Sequence, residues 1–425
     1  MDNFNGQFNV VKLENGLTFA YRNTDTQAIK GKFRIMSGIS NEDSGEQGLS
    51  YLLERTIASS TPFDLSEDEE NSLRFAYGTL KSLVSFDKTE YKLGFTPRET
   101  QSFLRYISSK IFNQDFSDKE LINSEKSKVL KYMKMKKRDP LFIDELKFDE
   151  AFYGKESPFL KIDFGDEYVI SSTNQEQLRD FHSRKYVGNN SQLILVGNLP
   201  KNIEDIVNES FSFISSGKST QKCNFDLKNF SKKELKSLAP ELLNPCNPVS
   251  SIAQLRLGIP FSNKFDRDYL ISSIIKEILI RDDIPVSKKD LLERNKKIYN
   301  LNFQSESLCK GRIVLNSNIT AFHANDSINY IFDEMRKIQE EPITEETLEL
   351  LKRRSQFSFS NIFDSIDGKI SAIELSLDDK VRIGNINEEI DSITINDFKK
   401  CTEKYLPNKR LDEKSVLLLR TPFQH

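Results

Sequence analysis

Tyr51, Glu54 and Arg55 stand in the frame Tyr-x-x-Glu-Arg. That is the spacing of the inverted zinc motif H-x-x-E-H, in which two imidazoles on one helix face converge on Zn²⁺ and the neighbouring carboxylate activates the bound water. Here the carboxylate remains and both imidazoles are gone. Tyrosine is a poor neutral donor with a pKa near ~10, and arginine carries a permanent charge that repels a dication. Read as a zinc site, the motif is dead. Glu54 is left at a vestigial general-base position, and the catalytic residues expected of this chain are none.

A helix must carry that frame. Leu49, Leu52, Leu53 and Ile57 fall on one apolar stripe, and Tyr51, Glu54, Arg55 and Ala58 form a second, polar one. By spacing alone a polar stripe is a helix's solvated side.

The 425 residues are enough for two to four domains at a prior of roughly 100–200 residues each. Acidic and basic residues, 64 against 61, are interspersed and nearly balanced, so no nucleic-acid footprint is expected. The opening Met1–Gly6 lacks a basic region followed by an apolar core and is not read as a signal peptide. No run approaches the ~18 apolar residues of a membrane span, so no membrane partner is expected. Cys223, Cys246, Cys309 and Cys401 form no C-x-x-C pair and read as reduced thiols. A cytoplasmic location is the expectation.

From the start, Phe8–Lys12 and Leu17–Arg22 flank Asn15-Gly16, a strong hairpin signal. Lys32–Met36 reads as a strand, Glu46–Ala58 as the motif helix, and Leu80–Phe95 as two strands around Asp87-Lys88. Helices are expected over 100–112, 118–135, 141–152 and 174–186, with a buried strand at Gln192–Val196. Residues 216–248, rich in Ser, Lys, Asn and Pro, read as a linker. Strands then follow at 252–258, 299–307, 312–319 and 415–419, and helices at 265–281, 325–341, 344–359 and 394–405. Asn174–Leu178…Tyr186…Leu193–Val196 parallels Thr394–Phe398…Tyr405…Val416–Leu419. This is a weak repeat at a period of roughly 200 residues, the sign of a duplicated domain. The expected domains are 1–215 and 249–425 about a linker at 216–248. The fold class is α+β: two homologous domains, each an antiparallel or mixed sheet with helices packed on one side.

Several stretches in order resemble the pitrilysin and mitochondrial-processing-peptidase family of zinc metallopeptidases, in half-length form. They are Leu13–Leu17, Gly38…Glu42…Gly48-Leu49-Ser50, Gly78…Asp87-Lys88-Thr89-Glu90-Tyr91, Glu125-Lys126…Asp139-Pro140, and Tyr186…Asn189-Asn190…Val196-Gly197-Asn198. The resemblance implies half of a clamshell peptidase. It also implies a third zinc ligand seven residues after Glu125, where this chain has Tyr132. Tyr51, Arg55 and Tyr132 are thus the degenerate metal positions; three losses together mean the metal is not wanted. His182, His323 and His425 are the only histidines, and exposed or packing roles suit them better than ligation. Arginine can fill the charge vacancy a metal leaves, so a link from Arg55 to Glu125, or from Glu54 to Lys81, is expected across the old site. Lys81 stands where the family has Asn, and Tyr299 keeps the tyrosine of a substrate-holding stretch. In that stretch Leu292 replaces the arginine, Arg294 lies two residues on, and Arg281–Pro285 replaces a Gly-rich loop. Lys81 and Tyr299 are the candidate substrate contacts, although Tyr299 also fits as an ordinary strand residue.

The resemblance therefore implies a non-catalytic subunit of a heterodimeric zinc metallopeptidase. It would help enclose and select a peptide beside a homologous subunit bearing an intact H-x-x-E-H. No cofactor is expected in this chain, with zinc in the partner. A peptide- or protein-binding scaffold with no protease partner is the alternative, and a hydrolase with an unrecognised site a more distant one.

Overall fold

The computed structural model describes the chain outside residues 1–7, 63, 69, 72–77, 156, 161–163, 221–232, 243–245, 247–250, 263, 281–297, 306–310, 342, 380–384, 408–414 and 423–425. It divides into two compact units. Unit 1 comprises 1–137, 161–225 and 362–378, and unit 2 comprises 138–160, 226–361 and 379–425.

Unit 1 holds a six-stranded mixed sheet of β1 (Asn9–Lys12), β2 (Thr18–Asn23), β3 (Ile29–Ile35), β4 (Gly78–Val84), β5 (Thr89–Phe95) and β6 (Ser191–Gly197). The strand order is β1-β2-β6-β3-β5-β4, parallel only between β2 and β6. The Asn15-Gly16 turn closes the first hairpin with Gly16 at φ +91°, a region that favours glycine. Asn15 is buried there; its Oδ1 accepts Leu17 N–H at 3.1 Å and its Nδ2 donates to the Phe211 carbonyl at 2.8 Å.

Unit 2 holds a five-stranded sheet of β7 (Lys233–Leu238), β8 (Ile252–Pro260), β9 (Ile298–Ser305), β10 (Arg312–Thr320) and β11 (Val416–Thr421). Its order is β7-β11-β8-β10-β9, with β7 and β11 the parallel pair. With the edge strand β1 set aside, replacing β2, β6, β3, β5 and β4 by β7, β11, β8, β10 and β9 turns the first order into the second. The internal repeat is therefore real at the level of topology. It also corrects one expectation: the stretch read as linker contains β7, the counterpart of β2. Both repeats enter the helix that precedes β6 or β11 through a reciprocal capping box, at Asn174 with Gln177 and at Thr394 with Asp397.

Segments 138–160 and 362–378 each belong to the unit built mostly from the other half of the sequence, so a single cut near 216–248 does not describe the compact units. Strand alternation shows what helix Ile366–Asp379 does in unit 1. Phe33 faces one side of the sheet, packing on Phe112 and Phe211. Lys30, Lys32 and Arg34 face the other, pairing with Asp367, Glu374 and Asp378 of that helix at 2.6, 2.8 and 2.5 Å. Ile370 and Ile373 pack there on Ala20, Ile194 and Val196. In unit 2, helix Pro140–Tyr153 sets Asp144, Glu145 and Asp149 against Arg420, Arg256 and Arg312.

Candidate functional site

The motif helix spans Leu49–Ser59 and buries Leu49, Leu52, Leu53 and Ile57, the apolar stripe expected. Its start is held by Gly48 at φ +93°, where a Cβ would meet the Phe164 carbonyl oxygen at 2.7 Å. The Glu42 carboxylate accepts the N–H groups of Gly48 and Ser50, both at 2.9 Å, satisfying donors the helix leaves open. The helix that carries Glu125 and Tyr132, Lys119–Lys136, starts at Asp118, which caps Leu121 N–H, and buries Ile122, Glu125, Val129 and Met133.

These helices bring the three degenerate metal positions together. The rings of Tyr51 and Tyr132 lie 6.3 Å apart, and the Arg55 guanidinium sits 5.8 Å from the Tyr51 ring centre. Tyr132 is braced edge-on by Phe164 at 5.7 Å. Arg55 Nε donates to Glu125 Oε2 at 3.0 Å, so the expected arginine link forms. The Glu125 side chain is fully buried. Its other oxygen accepts Ser59 Oγ at 2.9 Å and Lys128 Nζ at 2.6 Å. Burial pushes the Glu125 carboxyl up, but Lys128, Ser59 and Arg55 outweigh it and hold the group below the usual carboxylate range.

The Glu54–Lys81 link does not form. Glu54 is buried and accepts a hydrogen bond from Ser82 Oγ. On β4 successive side chains alternate faces, so Ser82 turns to the motif helix while exposed Lys81, paired in register with Lys92, lies on the other side. Burial raises the Glu54 carboxyl above its ordinary value, with the Ser82 bond and Arg55 opposing. Nearby, the Tyr91 and Tyr186 hydroxyls bond at 3.1 Å, and burial pushes both phenols upward. Such a carboxyl can accept a proton, but nothing in the donor set beside it suits a zinc-held water: two phenols and a guanidinium replace the imidazoles and carboxylate that zinc takes. Among the described residues no group of three or more His, Cys, Asp or Glu is arranged to hold a metal ion.

His182 and His323 lie elsewhere. His182 is buried, its Nε2 2.8 Å from the Ile111 carbonyl and its ring tilted against Tyr186, and burial depresses its pKa to about 4. His323 is exposed beside Asp326. His425, Leu292, Arg294 and Arg281–Pro285 lie outside the described residues. Tyr299 is in β9, where the pairing with β10 slips: Asn300 opposes Asn318 but Ile298 opposes Ile319, making Tyr299 the extra residue of a bulge. The sequence reading missed Ser59, Ser82, Lys128 and the Glu42 cap. Ser59 follows Arg55 by four residues and Lys128 follows Glu125 by three, so helical spacing was their only signal.

Residues 172–355 match the family model described as peptidase M16 inactive domain. That stretch, which runs from the end of the first repeat into the second, is similar to a peptidase M16 inactive domain. The fold agrees throughout. The peptidase M16 inactive domain from Pseudomonas fluorescens superposes with a TM-score of 0.80 at 15% identity, covering 98% of this chain and 99% of that one. The first half of the periplasmic protease PqqL from Escherichia coli gives 0.79 at 15% identity, covering 99% and 92%. A protease from Helicobacter pylori gives 0.77 at 15%, covering 98% and 99%. Of the longer PqqL structure the chain covers 48%. No curated protein matches the sequence. Among the described residues no helix is long and apolar enough to cross a membrane.

Proposed function

We propose that this M16-type chain is the non-catalytic subunit of a heterodimeric zinc metallopeptidase. It helps enclose and select a peptide beside a homologous partner with an intact H-x-x-E-H and the zinc. The observation that carries this reading is the Arg55–Glu125 pair. A family helix pair that would converge on a metal here closes on an internal cation, with Ser59 and Lys128 completing the carboxylate. The motif helix and its neighbour are kept, while the chemistry is replaced by a structural ion pair. A chain that keeps the scaffold of a peptide chamber without its metal can still present sheet edges. β4 ends the unit 1 sheet, and an extended peptide adding there would gain main-chain hydrogen bonds with little sequence demand. Side chains of the silent subunit then bias which peptides are held, by attraction or by clash.

The test is to identify an M16 chain with an intact motif encoded or co-purifying with this one, mix the two, and measure mass and peptidase rate. A heterodimer with changed rate or specificity supports the reading. A partner fully active alone, forming no complex, overturns it in favour of a scaffold.

A further inference from the structure

Unit 2 carries a cavity of about 300 Å³ on the sheet face that bears helix Pro140–Tyr153. That volume is at the low end of small-ligand pockets, roughly 300–1,000 Å³. The register gives its floor two rows across four strands: Leu418, Arg256, Asn316 and Asn302 in one, Arg420, Gln254, Asn318 and Asn300 in the other. Leu141, Asp144 and Glu145 of the helix wall its β11–β8 side. The β10–β9 side is paved by four asparagine carboxamides, and β9 ends the sheet.

The charges cancel within the wall. Arg420 Nε meets Asp144 at 3.1 Å and Arg256 meets Glu145 at 3.4 Å, which leaves no excess of one sign for an ionic ligand. Among the described residues no aromatic side chain lines the cavity. What the floor offers is amide chemistry. Each carboxamide presents an acceptor and two donors, the complement of a peptide C=O and N–H. Asn300 Oδ1 is already used, accepting Asn318 N–H at 2.6 Å. The carboxamides of Asn302, Asn316 and Asn318 have no hydrogen-bond partner among the described residues. Asn316 and Asn318 are two residues apart on β10, about 6.8 Å at the strand rise, which is also the two-residue repeat of an extended peptide.

We infer that this amide floor binds the main chain of an uncharged, extended peptide segment, read through Asn316, Asn318 and Asn302. The site lies wholly within unit 2 and needs neither a metal nor a partner subunit, so it stands or falls separately from the subunit reading.

The probe is an acetylated, amidated hexapeptide of alternating Ala and Thr, titrated into the full-length chain by calorimetry. Saturable binding is expected, weakened about tenfold in Asn316→Leu/Asn318→Leu, as the loss of one or two net hydrogen bonds implies. Asn300 is left intact because it supports the strand pairing. A second arm keeps the wild-type protein and methylates alternate backbone nitrogens of the peptide, which should abolish binding. No binding of the unmodified peptide, equal binding of the methylated one, undiminished binding by a folded double variant, or displacement by a neutral oligosaccharide would each overturn the inference.

Discussion

If Arg55 replaces the metal as the cation that neutralises Glu125, the two side chains must be energetically coupled. Glu125 has no exposed surface and three donors: Arg55, Ser59 and Lys128. A hydrogen bond to a charged group contributes about 1.5–3 kcal/mol. Removing one partner of a buried pair costs about 3–5 kcal/mol when the other is left uncompensated. Arg55→Leu leaves two donors in place, and Lys128, with its side chain 56% exposed, is partly screened. The expected loss is therefore about 1–3 kcal/mol, near the single charged bond. Glu125→Leu strands Arg55, which can turn to water because it is 34% exposed, so its cost should be smaller. The double variant Arg55→Leu/Glu125→Leu should cost less than the sum of the singles by about 1–2 kcal/mol, as expected for contacting residues.

Urea unfolding followed by tyrosine fluorescence serves as the assay, since the chain has no Trp and 13 Tyr. The pH dependence supplies a second check. The Glu125 carboxyl is depressed in the fold, so its contribution is fully present above its unfolded value, about 4.3, and is lost as pH falls through the folded value. Arg55→Leu should thus fall furthest below wild type near neutral pH and converge with it in acid. Additive single costs, or a single variant within ~0.3 kcal/mol of wild type, would refute the coupling.

Tyr51→His, Arg55→His and Tyr132→Glu together should restore tight zinc binding, read by metal analysis after dialysis, while each single change fails; turnover should lag because groups that orient the imidazoles are absent. Restored zinc with Arg55→His alone would contradict this. Glu54→Gln should match or exceed wild-type thermal stability at pH 7. The carboxyl is raised by burial, so its ionised form costs stability as pH climbs past the unfolded value, and the advantage of Gln should vanish in acid; a lower Tm at pH 7 would show that the charge is needed. Arg34→Met should be severe, about 3–5 kcal/mol, because it removes the fully buried cation among Asp378, Glu90 and Glu374 and leaves only Lys32 and Lys88 to offset three carboxylates; urea unfolding within 1 kcal/mol of wild type would count against it.

The sequence was most informative where periodicity and geometry coincide. The motif helix and its apolar stripe were legible because i, i+4 spacing fixes a helix face whatever the tertiary context, whereas the Arg55–Glu125 link, between two helices, was expected only from the family resemblance. The Glu54–Lys81 link failed on parity: a strand's period of two sends Lys81 and Ser82 to opposite faces, and only the register says which one meets the helix. Strand β7 was hidden in what read as a linker because Lys-Glu-Leu-Lys-Ser-Leu is polar and, among the described residues, pairs with β11 alone at the edge of the sheet. An edge strand needs no continuous apolar run, so polar composition there does not mean loop.

The exchanged helices lay beyond local reading for a different reason. Lys30, Lys32 and Arg34 make one sheet face basic, and Arg256, Arg312 and Arg420 do the same for the other. The helix that covers the first supplies Asp367, Glu374 and Asp378; the helix that covers the second supplies Asp144, Glu145 and Asp149. Sign alone assigns an acidic helix to a basic face, but both helices are acidic and both faces basic, so sign does not assign a helix to a half. What separates the two pairings is spacing. Asp367, Glu374 and Asp378 step along the helix by seven and four, matching residues two apart on the single strand β3, whereas Asp144, Glu145 and Asp149 meet arginines on the three strands β11, β8 and β10. One helix is keyed along a strand and the other across the sheet, and that difference exists only once the registers are known.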